Sequence, residues 1–180
     1  MKLHEETLSQ NTVFAGRIIN VRQDQVLLEN GRQALRDVVE HPGGVCVLPL
    51  TDQGEVILVK QFRYPYREVL FEIPAGKLDK GSEDPLACGK RELEEEAGMT
   101  ADTYISLGKM YPSPGYCAEI IHMYLAQGLR PSRQKLDEDE FLEVYRYPFE
   151  EVYQMVLEGK ITDAKTQIAV LKTAAILKKG

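Results

Sequence analysis

Short apolar runs separated by turn signals dominate the chain, and helical spacing is confined to its middle and its end. Phe14 to Leu28, rich in Ile and Val, runs into Asn30-Gly31, a strong two-residue turn signal, and then into Arg32 to Glu40. The first forty residues therefore read as an extended hairpin. Gly43-Gly44 breaks the chain. Val45 to Leu50 is an apolar run of buried-strand type, and Asp52-Gln53-Gly54 turns it into Glu55 to Phe62. A short strand is expected over Val69 to Ile73, ended by Pro74-Ala75-Gly76, with a polar loop to Asp84. Asp84 then offers an N-cap, Pro85 suits the first helical position and Gly98 sits where a C-terminal cap belongs. Between them Leu86, Leu93 and Ala97 share one side at helical spacing. Strands are expected over Tyr104 to Tyr111, Glu119 to Ala126 and Phe141 to Tyr147, with a charged loop over 128–140. The end is helical, over Pro148 to Leu157 and from Asp163 to about Lys178, where Ala164, Ile168, Leu171 and Ala175 line one face. Many strands and few helices make a mixed α+β fold. Residues 1–42 form the hairpin region and 43–180 the main domain.

Composition narrows this only by exclusion. The 180 residues carry 22 Lys+Arg against 28 Asp+Glu, a net charge of −6, with 43% apolar and 28% charged positions. That is ordinary globular composition, which argues against extended disorder. No apolar run approaches the ~20 residues that span a bilayer, and no basic-then-apolar leader opens the chain. Cys46, Cys88 and Cys117 are sparse and lack metal-ligand spacing, as in a reduced, cytoplasmic protein. Net negative charge argues against nucleic acid as a partner.

The middle helix is where the chemistry lies. Glu92, Glu94, Glu95 and Glu96 put four carboxylates within five residues, and Glu92, Glu95 and Glu96 share a face at i, i+3 and i+4. Like charges at those spacings cost a few tenths of a kcal/mol per pair, and carboxylates near a helix C-terminus oppose the macrodipole. Two readings are open: a solvated charged face relieved by Lys90 and Arg91, or a ligand set for hard divalent cations.

The wider pattern decides between them. Gly76 to Met99 reads GKLDKGSEDPLACGKRELEEEAGM, in which Glu83 is followed by seven residues, then Arg91-Glu92-Leu93, Glu95-Glu96, Gly98 and the apolar Met99. Five fixed positions at roughly one in fifteen each arise by chance on the order of once in 10⁴ chains this long. The segment closely resembles the Nudix box. It departs in one place: six residues, not five, separate Gly76 from Glu83, the extra one falling in Lys80-Gly81-Ser82.

Resemblance to the Nudix hydrolases implies an α/β/α sandwich around a mixed sheet. It also implies Mg²⁺-dependent cleavage, with Mn²⁺ as an alternative, of a nucleoside diphosphate linked to another group. The implied metal ligands are Glu92, Glu95, Glu96 and the carbonyl of Ala75, with Arg91 orienting the carboxylates. Glu72-Ile73-Pro74-Ala75-Gly76 before the box, and Ser113-Pro114-Gly115-Tyr116 with Glu119 after it, resemble the ADP-ribose pyrophosphatase branch. In that branch a proline at about the place of Pro114 accompanies ADP-sugar specificity, the hairpin swaps across a homodimer, and the base comes from a mobile acidic loop. Leu136-Asp137-Glu138-Asp139-Glu140 fits that loop, with Glu140 first choice and Glu138 second. The alternative for these residues is a merely solvated acidic loop.

A substrate anion also needs cations. Arg63 at a strand end suits phosphate better than Arg67, which reads equally as a surface charge; Arg36 on the hairpin could reach across the dimer, against a plain cross-strand salt bridge. Glu72, Pro114 and Glu119 complete the expected substrate contacts, and Phe14, Tyr64 or Tyr66 could stack on a base. The reading is a homodimeric hydrolase splitting ADP-ribose into AMP and ribose 5-phosphate. Its rivals are the same chemistry on another nucleoside diphosphate sugar, such as a GDP-sugar, and a sensor that holds ADP-ribose without cleaving it.

Overall fold

The computed structural model describes residues 3–78, 83–138 and 140–178. The chain folds into two compact units, Met1–Gly43 with Tyr111–Ile120, and Gly44–Met110 with Ile121–Gly180.

The first unit is an antiparallel sheet of β1 (Glu6–Ala15), β2 (Asn20–Leu27) and β3 (Gln33–Glu40), in that order. The expected hairpin is β2–β3, in register from Asn20↔Glu40 to Leu27↔Gln33. Its turn is closed by Leu28 and Arg32, with Gly31 at φ 79°, a conformation that glycine adopts without penalty. A third strand precedes it, where no strand is expected. All ten residues of β1 are exposed, so no buried face imprints alternation on its sequence, and the ladder to β2 alone defines it. The 111–120 segment joins this unit through Val39, whose N–H donates to the Tyr116 carbonyl at 2.8 Å and whose carbonyl accepts from Ala118 N–H at 2.9 Å.

The second unit has two sheets. One runs β7 (Ala75–Lys77), β4 (Gly44–Pro49), β9 (Ile121–Pro131), β8 (Met99–Met110), with β4 and β9 parallel and the other pairs antiparallel. The other runs β10 (Leu142–Pro148), β5 (Glu55–Arg63), β6 (Glu68–Glu72), all antiparallel. Helix α1 spans Pro85–Ala97, α2 Phe149–Leu157 and α3 Ala164–Leu177.

Strand alternation builds the layers. Val47, Ile57 and Ala126 pack with Leu93 of α1, while Cys46, Leu48, Val56, Leu58, Met123 and Leu125 pack with Val152 and Val156 of α2 and Ala169 and Val170 of α3. Neighbouring residues on β4, β5 and β9 thus enter opposite cores, so the strands are buried on both faces and read as unbroken apolar runs. This is the expected α/β/α sandwich around a mixed sheet.

Helix α1 has the predicted ends. Asp84 accepts from Ala87 N–H at 2.9 Å, and Gly98, at φ 62°, donates to the carbonyls of Glu94 and Leu93. Its buried stripe is not the expected Leu86–Leu93–Ala97 but Cys88, Gly89, Glu92, Leu93 and Glu96. Gly89 sits against Val45 and Val47, and the close approach turns two carboxylates inward. Strand β7 is the other surprise: a strand of three residues begins where Pro74 was expected to end one. The Pro74 carbonyl accepts from Val47 N–H at 2.9 Å, and Ala75 pairs with Cys46. Proline forbids only the donor side of the ladder.

Candidate active site

Strand β7 and the inward face of α1 bring Ala75, Gly76, Glu92 and Glu96 together. Ala75 N–H donates to Glu96 Oε2 at 3.0 Å. Glu92 lies so close to Gly76 that a Cβ there would stand 2.0 Å from its Cδ and Oε1. The position therefore admits only glycine while the carboxylate keeps its place. Glu92 is 8% and Glu96 3% exposed. Burial pushes the Glu96 carboxyl up to about 8, reinforced by the charges of Glu92 and Glu140 and opposed by Ala75 N–H and Lys165. Burial likewise pushes Glu92 up to about 7, opposed by Arg91 and reinforced by Glu95 and Glu140.

Glu95 stands beside this pair, tied to Glu92 through Arg91. Arg91 Nη1 bonds Glu95 at 2.7 Å and Glu92 at 2.8 Å, and its Nη2 reaches Glu83 at 3.4 Å. The guanidinium thus spans three carboxylates and fixes their directions. Among the described residues, no three His, Cys, Asp or Glu side chains form a metal-holding group unaided. The donor set still fits a hard divalent cation. Two desolvated carboxylates face one backbone corner, and an oxygen-seeking cation completed by backbone carbonyl and water would relieve their mutual repulsion. The extra residue of the box lies in 79–82, outside the described residues.

Arg63 and Glu72 form a two-pronged pair across β5 and β6, at 2.5 and 2.6 Å. The second Glu72 oxygen also takes Lys165 Nζ from α3. Burial works against the charge of Glu72, but Arg63 and Lys165 outweigh it and hold the carboxyl below the usual range. No sequence motif marks Lys165. A signal existed: a lysine in the first turn of a helix opposes the macrodipole, and a charge so placed invites the search for a partner.

The acidic loop follows a segment tied to the end of α1. Ser132 N–H bonds the Gly98 carbonyl at 2.7 Å, Lys135 N–H that of Glu95 at 3.0 Å, and the Gln134 amide that of Glu96 at 2.6 Å. These bonds satisfy carbonyls that a helix end leaves orphaned. Beyond them, Glu140 Oε2 accepts from Asp137 N–H at 3.2 Å, and the charge of Glu140 is felt at both Glu92 and Glu96. Glu138 sits on the same loop, exposed. A cleft of about 820 Å³ opens on the outer side of α1, lined by Arg91, Glu94, Glu95 and residues 133–136; Arg133 and Lys135 bring it positive charge.

The remaining expected contacts lie in the other unit. Arg36 forms an ion pair with Glu5 at 2.6 Å. Glu119 lies 3.4 Å from His41 Nδ1, which accepts from Gly43 N–H. Pro114 sits in the 111–120 segment, where Cys117 N–H bonds the Ser113 carbonyl at 2.9 Å. Phe14 is exposed there, as Tyr64 and Tyr66 are in the second unit. Burial pushes the thiols of Cys46 and Cys88 up to about 12, which removes them as nucleophiles at neutral pH.

Residues 40–169 match the model of the NUDIX domain, and residues 5–39 that of the nucleoside diphosphate sugar hydrolase N-terminal domain. The chain belongs to the Nudix family, whose hydrolases depend on divalent metal. It is 44% identical over 170 residues to the ADP-ribose pyrophosphatase of Bacillus subtilis (strain 168), covering 93% of this chain and 91% of that protein. It is 42% identical over 172 residues to the methanol dehydrogenase activator of Bacillus methanolicus, covering 94% and 92%. Its fold is similar to the crystal structure of ADP compounds hydrolase, with a TM-score of 0.85 at 23% identity over 97% of this chain and 95% of that one.

Proposed function

We propose that this chain hydrolyses the diphosphate of ADP-ribose to AMP and ribose 5-phosphate, as a cytoplasmic homodimer using Mg²⁺, with Mn²⁺ as a substitute. The observation that carries the reading is the buried pair Glu92 and Glu96 against the Ala75–Gly76 backbone. The kinship with an ADP-ribose pyrophosphatase over most of both chains supports the substrate.

Glu92, Glu96 and the Ala75 carbonyl would hold the cation, with Glu95, paired to Arg91, as the further ligand of the set. Once bound, it supplies charge neutralisation at the diphosphate and acidifies the attacking water. Arg91 keeps the carboxylates aimed. Glu140 receives the proton as the water oxygen bonds to phosphorus and the bridging P–O bond breaks, and the departing phosphate leaves with the electron pair of that bond. Glu138 is the second candidate for the base. Arg63, Arg36, Glu72, Pro114 and Glu119 are assigned to substrate. The fully exposed β1, with Leu8, Val13 and Phe14 open, supports residues 1–42 as the element exchanged between protomers, with 43–180 as the hydrolase domain.

The test is incubation with Mg²⁺ and a panel of ADP-ribose, ADP-glucose, GDP-mannose, NADH and diadenosine polyphosphates, reading products by chromatography. AMP released preferentially from ADP-ribose, and lost on chelation, supports the proposal. Preference for GDP-mannose moves the substrate to a GDP-sugar. No cleavage, with ADP-ribose still raising the melting temperature, replaces the enzyme by a sensor.

A further inference from the structure

Four consecutive residues, Glu72 to Ala75, span the junction of β6 and β7, and each is held by a partner outside it. Ala75 N–H is bound to Glu96 of α1 at 3.0 Å. The Pro74 carbonyl accepts from Val47 of β4 at 2.9 Å. Ile73 N–H donates to Thr166 Oγ1 of α3 at 2.9 Å. The Glu72 carboxylate takes Arg63 of β5 and Lys165 of α3. Two of these anchors come from one helical turn 93 residues away in sequence.

That turn is organised around Asp163. Its Oδ2 accepts from Thr166 N–H at 2.9 Å and from Thr166 Oγ1 at 2.5 Å. The hydroxyl hydrogen is thereby committed, and a lone pair is left to receive Ile73. Asp163 Oδ1 accepts from Lys165 Nζ at 2.9 Å, which aims the ammonium at Glu72. Thr166 is fully buried and the Lys165 side chain is 11% exposed. Capping α3 needs only Asp163. A desolvated lysine in a first turn works against both the macrodipole and its own hydration, so the stability of α3 does not account for it. What the turn holds is the corner whose last residue, Ala75, bonds Glu96.

We propose that Lys165 and Thr166 are positioning residues of the hydrolytic site: with Asp163, they lock the Glu72–Ala75 corner and thereby set where Ala75 and Glu96 meet the metal. This rests on the metal-dependent reading above, and deepens it by a residue set outside the Nudix box.

Thr166→Val keeps the shape but removes the acceptor for Ile73, and Thr166→Ser keeps the hydroxyl. Two readouts apply: calorimetric titration of nucleotide-free protein with Mg²⁺, and kcat against KM for ADP-ribose at saturating Mg²⁺. The valine variant should bind Mg²⁺ about tenfold more weakly and lose about tenfold in kcat, with KM within about twofold and the serine variant near wild type. If the valine variant does not fold, Lys165→Met is read in the same two ways. Wild-type Mg²⁺ affinity and kcat in the folded variant overturns the inference, as does a serine variant as impaired as the valine one. A wild type that binds Mg²⁺ but leaves ADP-ribose intact refutes the substrate instead, and the positioning role is then decided by Mg²⁺ affinity.

Discussion

Replacing Gly76 by alanine puts a methyl carbon where the Glu92 carboxylate now lies. The new Cβ would stand 2.0 Å from Cδ and Oε1 and 2.6 Å from Oε2, whereas ordinary contact begins at 3.4 Å, so the carboxylate must retreat by 3.4 − 2.0 = 1.4 Å. Gly76 is not among the glycines with positive φ, so the backbone accepts alanine and the perturbation is purely steric. Overpacking of this kind costs about 1–3 kcal/mol of stability, which leaves a typical domain folded. Misplacing a group at the chemistry by about 1 Å costs on the order of 10²-fold in rate, or about 2.7 kcal/mol of barrier. The assay is AMP release at saturating Mg²⁺ and ADP-ribose, alongside urea denaturation of the same preparation. The expected result is a folded protein with kcat down about a hundredfold. Adding Glu92→Asp, which withdraws the carboxylate by one methylene, should recover part of the loss, a coupling that only contacting residues show. A folded Gly76→Ala protein with near wild-type kcat would refute the reasoning, because the Glu92 carboxylate would then not be needed where it lies.

Glu96→Gln should abolish turnover while the fold persists, and Mg²⁺ should no longer raise its melting temperature; a wild-type response to Mg²⁺ removes Glu96 from the ligand set. Glu140→Gln should lower kcat and leave calorimetric Mg²⁺ binding near wild type, and the same behaviour in Glu138→Gln instead moves the base two residues. In chelator-treated protein, burial raises Glu92 to about 7 and Glu96 to about 8, above their ordinary value of 4.5. The folded state then binds more protons than the unfolded one, so stability should fall as pH rises from about 4.5 through about 8. Mg²⁺ should reverse that slope, since it needs the ionised carboxylates; urea midpoints that are flat or rising with pH without metal would contradict the burial of the pair.

Much of this was legible beforehand because the signals are local. Asp84, Pro85 and Gly98 bound α1 as capping chemistry requires. The unbroken runs of β4 and β5 come from strands buried on both faces. The spacing of the box by itself identifies the family. The misreadings share a cause. Strand β1 has no buried face to pattern it, and β7 follows a proline whose only ladder role is as acceptor. The stripe of α1 includes two glutamates because Gly89 brings the helix close to Val45 and Val47. For Arg63, expected at a phosphate, the structure adds a partner that was not expected, Glu72, an arrangement across two strands that no single segment encodes.

The sequence by itself determined the helix that carries the carboxylates, its ends, and the spacing that puts Glu92 and Glu96 one turn apart, since these depend on neighbours within a few residues. Only the tertiary structure decided which carboxylates are desolvated, that Gly76 leaves room for one of them, and that Asp163, Lys165 and Thr166 secure the corner beside the other. Desolvation and hydrogen-bond geometry are set by groups brought together from distant parts of the chain, and spacing along the chain carries no record of them.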